Sequence, residues 1–193
     1  MSRVVVLGGG ESGVGSAVLA KVKGFDVFLS DNGKIEDRYA DEVIKSPGIP
    51  DTVPMVRKVT DKGIRIISEI EFAGRYDSAK KICITGSNGK TTTTSLIYYL
   101  LRNAGLNVGL GGNIGKSYAL QVATEHFDYY VLEISSFQLD NCYDFHPDIA
   151  IIMNITPDHL DRYGFQFENY IRSKFRITRN LSKEDCFNYD SYD

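Results

Sequence analysis

The run Gly86-Ser87-Asn88-Gly89-Lys90-Thr91 has the residue types that handle phosphate. It follows the apolar run Lys81-Ile82-Cys83-Ile84 and precedes a long helical pattern reaching about Asn103. A glycine turn at a helix N-terminus aims backbone N–H groups at phosphate oxygens, and Lys90 adds a fixed positive charge. Thr91, in the first helical turn, can place its hydroxyl on a Mg²⁺ ion bridging the β- and γ-phosphates. Gly86, Ser87, Asn88, Gly89, Lys90, Thr91 and Thr92 are therefore expected to form a triphosphate site. The spacing departs from the common GxxxxGK[ST] pattern, because Ile84 stands at the first glycine position. An ordinary glycine turn with a surface lysine is the plainer reading, but strand, glycines, Lys-Thr and helix coincide here.

Four further residues could serve such a site. Glu133 closes a strand that reads as buried, where a carboxylate is costly unless it is hydrogen-bonded or bound to a cation. Asn113, in Gly111-Gly112-Asn113-Ile114-Gly115, is either a hydrogen-bond donor to a ligand or a turn residue. His159 follows another strand end, and a solitary histidine is more often structural. Lys174 lies in Tyr170-Ile171-Arg172-Ser173-Lys174-Phe175-Arg176, a half-exposed basic helix face on which a solvated lysine is the default.

A second glycine loop opens the chain. Gly8-x-Gly10-x-x-Gly13 follows a strand and begins a helix, and Asp31 ends the next strand. Alone, that unit reads as a dinucleotide site for NAD, or as a tight turn needed only for packing.

The elements that must position these groups alternate. Strands are expected at Val4 to Leu7, Asp26 to Ser30, Ile64 to Ile67, Lys81 to Ile84, Asn107 to Leu110, Tyr129 to Ile134 and Ile149 to Met153. Helical patterns cover Val14 to Lys23, Val53 to Lys62, Thr91 to Asn103 and Phe167 to Arg179, and Cys186 to Tyr189 starts one more strand. Such alternation is the signature of βαβ units, so the fold class is α/β with mainly parallel sheets. A Rossmann-like domain is expected over 1–77, the polar stretch Gly74 to Lys80 is its linker, and a truncated P-loop-type ATP-binding domain follows over 78–193.

The bulk numbers agree with a globular protein. Of 193 residues, 42% are hydrophobic and 24% charged, and a net charge of -3 gives no footprint for nucleic acid. Three cysteines without metal-ligand spacing indicate neither a disulfide framework nor zinc, which suits the cytoplasm. No membrane span or cleavable leader is expected.

Thr85-Gly86-Ser87-Asn88-Gly89-Lys90-Thr91 resembles the short phosphate loop of Mur ligases and folylpolyglutamate synthases. Gly111-Gly112-Asn113-Ile114-Gly115, Glu133-Ile134-Ser135-Ser136-Phe137-Gln138-Leu139 and Asn154-Ile155-Thr156-Pro157-Asp158-His159-Leu160-Asp161-Arg162-Tyr163 resemble the D-glutamate-adding branch of the Mur ligases. The resemblance implies an ATP-dependent, monomeric ligase acting on UDP-N-acetylmuramoyl-L-alanine and D-glutamate in cell-wall precursor synthesis. It implies Mg²⁺ held by Thr91, Glu133, His159 and a carbamylated Lys174, with Lys90, His159 and Lys174 catalytic. It also turns the first loop from NAD to the UDP part of the substrate, with Gly10, Ser12, Gly13, Asp31, Ser46 and Gly48 nearby and Asn113, Ser135, Gln138 and His159 completing the substrate site. Against the family pattern the chain is short by on the order of one βα unit between Asp31 and Ser46 and lacks a C-terminal domain, so it is expected to be inactive alone. An NAD-dependent oxidoreductase, a non-catalytic nucleotide-binding fragment and a relative of other amino-acid specificity are the competing readings.

Overall fold

The computed structural model describes residues 2–31 and 40–189. Two all-parallel sheets carry the chain. The first has the order β2-β1-β3-β4, with β1 at Arg3–Leu7, β2 at Asp26–Ser30, β3 at Glu42–Lys45 and β4 at Arg65–Ile67. The second has the order β6-β7-β5-β8-β9, with β5 at Lys80–Thr85, β6 at Val108–Gly112, β7 at Tyr129–Glu133, β8 at Ile149–Ile152 and β9 at Cys186–Tyr189. The helices are α1 (Glu11–Val22), α2 (Pro54–Asp61), α3 (Glu69–Gly74), α4 (Lys90–Asn103), α5 (Tyr118–Thr124), α6 (Ser136–Leu139) and α7 (Phe167–Phe175).

Strand periodicity sorts the apolar residues into three cores. Val4 and Val6 point into one cluster, Val5 and Leu7 into another on the opposite face of the first sheet. In the second sheet Tyr130 and Leu132 join the first cluster, whereas Ile82, Ile84 and Val131 pack under α4. The first cluster is thus shared by both sheets, and Leu19, Ile70, Phe72 and Tyr118 fill it from α1, α3 and α5. Parallel strands covered on both faces read as continuous apolar runs, which is why these strands were legible.

Four helices and a strand differ from the sequence expectation: α3, α5, α6 and β3 have no counterpart in it, and α7 is shorter than expected. The strand Glu42–Lys45 has only four residues, too few to show a period. Helix α3 has six, and its N-cap Ser68 accepts the Glu71 N–H at 3.2 Å. The helix expected from Phe167 to Arg179 is α-helical only to Phe175 and tightens into a 3-10 turn over Arg176–Thr178. The expected shortening between Asp31 and Ser46 falls largely on residues 32–39, outside the described residues. Among the described residues, no helix is long and apolar enough to cross a membrane.

The topology places both glycine loops alike. In each sheet the strand that feeds the loop, β1 or β5, lies where the chain's successive strands turn to opposite sides. The crevice beyond the carboxyl ends at such a switch point is where open α/β sheets bind ligands.

Candidate phosphate-loop and substrate site

Gly86 has φ +151 and Gly89 φ +80, and Gly89 caps α4. A Cβ on Gly86 would stand 2.9 Å from the Met153 Cβ, so this turn requires glycine twice over, for conformation and for space. The loop is braced from the segment after β8. Asn88 N–H donates to Asn154 Oδ1 at 2.9 Å, Asn154 Nδ2 returns a bond to the Asn88 carbonyl at 3.1 Å, and Ser87 Oγ donates to the Thr156 carbonyl at 2.8 Å. Asn154 and Thr156 are therefore part of the site's frame, a role their residue types alone did not disclose.

Lys90 folds back on its own loop, donating to the carbonyls of Gly86 at 2.8 Å and Ser87 at 2.9 Å. Lys174 Nζ reaches the same Gly86 carbonyl at 2.8 Å. It is 1% exposed, so the default reading of a solvated lysine on a half-exposed face does not hold. The reason is that α7 packs against α6 and presents Lys174 inward, with its ammonium 4.5 Å from the centre of the Tyr170 ring. Burial, then the nearby Lys90 charge, lowers its pKa to about 8.

Glu133 ends β7 beside the loop. Its Oε2 accepts the Thr91 hydroxyl at 2.7 Å and its Oε1 the Asn113 side-chain amide at 2.9 Å, while its backbone carbonyl accepts Asn113 N–H at 2.8 Å. The carboxylate is 2% exposed, and its hydrogen-bond partners Thr91 and Asn113 are neutral. A buried carboxylate without a cation costs several kcal/mol, so the site's chemistry asks for a positive ion. An oxygen-rich set of one carboxylate and one hydroxyl facing a phosphate loop fits Mg²⁺, which takes few protein ligands and completes its shell with phosphate and water. Among the described residues no three His, Cys, Asp or Glu side chains form a metal cage.

The structure does not join every expected residue to this cluster. His159 has φ 49, is exposed, lies 3.6 Å from Asp158 Oδ2 and packs against the Phe137 ring at 5.2 Å. Ser135 caps α6 and forms a reciprocal box with Gln138, so both already have partners. Thr92 is exposed on the first turn of α4.

At the first loop, a Cβ on Gly13 would lie 1.9 Å from the Gly8 carbonyl, the close approach of strand to helix that a glycine fingerprint requires. Gly10 is the N-cap of α1. Asp31 Oδ1 accepts Gly9 N–H at 2.6 Å, which closes the loop. Ser46 stands against Gly8, its buried hydroxyl unpartnered, and Gly48 is exposed beyond it. Arg162 links the two halves by donating to the Pro47 carbonyl at 3.3 Å while lying 4.4 Å from the Phe137 ring centre. A cavity of about 200 Å³ between the loops is lined by Ser12, Asn113 and Gln138, and also by Glu11 and Glu69. The last two carried no motif signal.

Residues 84–191 match the Mur ligase middle domain family. The UDP-N-acetylmuramoylalanine–D-glutamate ligase of Bacteroides fragilis is 61% identical over 210 aligned positions, covering 97% of this chain and 47% of the relative. The enzyme of the same name from Christiangramia forsetii is 54% identical, covering 99% of this chain and 48% of the relative. The chain spans about half the length of these curated relatives. Among solved structures, UDP-N-acetylmuramate:L-alanyl-gamma-D-glutamyl-meso-diaminopimelate ligase from Neisseria meningitides superposes with a TM-score of 0.63 at 20% identity, covering 100% of this chain and 72% of that one, a likeness of fold. With the matched family region running through the phosphate loop, Glu133 and Lys174, this chain belongs to the Mur ligase family.

Proposed function

We propose that the complete protein is an ATP-dependent ligase that joins D-glutamate to UDP-N-acetylmuramoyl-L-alanine, and that this chain contributes the nucleotide-sugar cleft and the phosphate loop. The observation that carries the reading is the buried Glu133 carboxylate held by Thr91 and Asn113 at the mouth of the Gly86–Thr91 loop. The D-glutamate specificity rests on the two relatives, whose name states that reaction.

The γ-phosphoryl group of ATP passes to the alanyl carboxylate, giving an acyl phosphate, and the amine of D-glutamate then displaces phosphate from the carbonyl carbon. The first step brings two anions together. Lys90 swings from the Gly86 and Ser87 carbonyls onto the triphosphate, and the loop's N–H groups orient its oxygens. Thr91 and Glu133 would hold Mg²⁺, joined, as the family resemblance implies, by a carbamylated Lys174 and by His159, which stands apart from the cluster here, and the ion would neutralise the charge moving between the reactants. A buried amine of lowered pKa is suited to carbamylation, because the neutral amine is the form that adds CO₂. Gly10, Ser12, Gly13, Asp31, Ser46 and Gly48 receive the UDP portion, and Asn113, Ser135, Gln138 and His159 the sugar and its alanyl arm.

The division at about residue 77 follows the two sheets, and the 210 aligned positions, more than the 193 residues here, support a deletion relative to the relatives. A cytoplasmic location is consistent with the free thiols of Cys83, Cys142 and Cys186, and the monomeric state rests on the family resemblance. The test is phosphate release from ATP by the complete gene product. Release that needs both UDP-N-acetylmuramoyl-L-alanine and D-glutamate supports the reading, and release indifferent to D-glutamate rejects it.

A further inference from the structure

Two carboxyl groups outside the phosphate-loop cluster converge on one residue. Ser117, the N-cap of α5, donates its backbone N–H to Glu11 Oε1 at 3.0 Å and its hydroxyl to Glu69 Oε1. Glu69 Oε1 also accepts Ala119 N–H at 3.0 Å. Glu11 opens α1 directly after the first glycine loop, Glu69 opens α3, and Ser117 ends the loop that follows β6. A Cβ on Gly15 would come within 1.9 Å of Ser117 Oγ, so α1 lies flat on this cap.

The loop from β6 to α5 is fixed at both ends. At one end Asn113 bonds Glu133 through backbone and side chain; at the other Ser117 bonds Glu11 and Glu69. Gly111 and Lys116 bridge across it. Only Ile114, Gly115 and Lys116 separate Asn113 from Ser117, so the two anchors share one short tether. Glu69 is 2% exposed and lines the cavity that Ser12, Asn113 and Gln138 share, and its Oε2 has no partner. An unmatched buried oxygen costs about 1–3 kcal/mol, which makes its retention at a cleft informative.

We propose that Glu69 is a positioning residue of the ligase site: with Glu11 it clamps Ser117, sets the loop that orients the Asn113 amide on Glu133, and so ties the nucleotide-sugar cleft to the phosphate-loop carboxylate. The word ligase rests on the function proposed above; the clamp does not. Burial raises the Glu69 pKa to about 7, the Ser117 and Ala119 hydrogen bonds hold it down, and the Glu11 carboxylate facing it from α1 pushes it up. Two carboxyls can stand beside one serine because one of them carries a proton easily.

The experiment compares Glu69→Ala, Glu69→Gln and Ser117→Ala in the complete gene product, reading kcat, KM for ATP and for the UDP-sugar, and amide hydrogen exchange. Glu69→Ala is expected to lower kcat by about 10- to 100-fold, the scale of a small misplacement of reacting groups, with KM for ATP held within about twofold. Exchange is expected to rise over 112–117 and to stay level over Gly86 to Thr91. Glu69→Gln is expected to recover most of the rate, since its amide oxygen still accepts from Ser117 and Ala119. An unchanged kcat in Glu69→Ala, or exchange that rises evenly along the chain, overturns the proposal. If Glu69→Ala does not fold, Ser117→Ala decides by the same two readouts. A wild-type protein without turnover rejects the ligase reading, and the exchange pattern then judges the clamp by itself.

Discussion

Thr91 Oγ1 donates a 2.7 Å hydrogen bond to Glu133 Oε2, joining the first turn of α4 to the carboxyl end of β7 across the mouth of the phosphate loop. The bond holds a buried carboxylate beside the place where phosphate charge must be offset. Glu133→Gln keeps the shape and both neutral hydrogen-bond neighbours and removes the charge. Turnover of the complete gene product is expected to fall on the order of 100- to 1,000-fold, with a loss of Mg²⁺-dependent ATP binding in calorimetry. Unchanged Mg²⁺ dependence in the variant would remove Glu133 from the metal's surroundings.

Gly86 tests the loop's geometry. At φ +151, with Met153 Cβ in the way, alanine is strained in conformation and in space. Gly86→Ala is expected to cost roughly 1–3 kcal/mol of stability and to weaken ATP binding more than UDP binding. Titration of each nucleotide into the variant checks both, and equal losses would show that the defect is global.

Ser46 offers the opposite case. Its buried hydroxyl has no partner, so Ser46→Ala loses no hydrogen bond of the free protein. Urea denaturation should place the variant within about 0.5 kcal/mol of wild type or above it. The KM for the UDP-sugar should rise severalfold while KM for ATP stays level. A stability loss without that rise would assign Ser46 to packing.

Glu71 bolts the two halves together. Fully buried, its carboxylate accepts N–H bonds from Tyr143 at 2.9 Å, Asp144 at 3.1 Å and Phe145 at 2.9 Å, and an Arg75 guanidinium nitrogen lies 3.3 Å away. Removing it leaves three backbone donors without an acceptor, while Arg75 keeps its two bonds to Glu42 at 2.7 and 2.9 Å. Glu71→Ala is expected to destabilise the fold by about 3–5 kcal/mol in denaturant titration, on the order of 1–3 kcal/mol for each unsatisfied donor that stays buried. A cost below about 1 kcal/mol would mean water replaces the carboxylate.

Glu69 gives the pH dependence. Its pKa is raised by burial from 4.5 to about 7, so the folded form holds the proton more tightly than the unfolded chain. The stability it contributes is therefore fully present below about pH 4.5 and is lost as pH rises through about 7, by up to roughly 3 kcal/mol. Glu69→Gln cannot ionise, so its melting temperature should decline less between about pH 5 and 8 and exceed wild type at the upper end. Parallel curves for the two proteins would contradict the assignment.

The fold was legible wherever period and length were sufficient. Val4 to Leu7, Lys81 to Ile84 and Tyr129 to Glu133 announce themselves as parallel strands because both faces are buried. Glu42–Lys45 and the six-residue α3 carry too few residues for a period, and their stability comes from tertiary partners such as Asn141, whose carbonyl accepts Ser68 N–H at 2.9 Å. Within the site, glycines and Lys-Thr disclosed the loop because backbone conformation and charge are local properties. The burial of Lys174 was not local: it depends on how α7 lies on α6, which the basic run from Arg172 to Arg176 conceals. Glu11 and Glu69 were silent for the same reason, since their meeting on Ser117 joins residues far apart in the chain.

The acyl-phosphate account is tested most directly by following oxygen. UDP-N-acetylmuramoyl-L-alanine labelled with heavy oxygen in its alanyl carboxylate is turned over by the complete gene product with ATP, Mg²⁺ and D-glutamate, and the released phosphate is weighed by mass spectrometry. Because the carboxylate oxygen attacks the γ-phosphorus and leaves with it when the amine adds, each phosphate is predicted to carry a heavy oxygen. Phosphate released at the same rate without label would contradict the account, since ATP would then be cleaved without passing through the acyl phosphate.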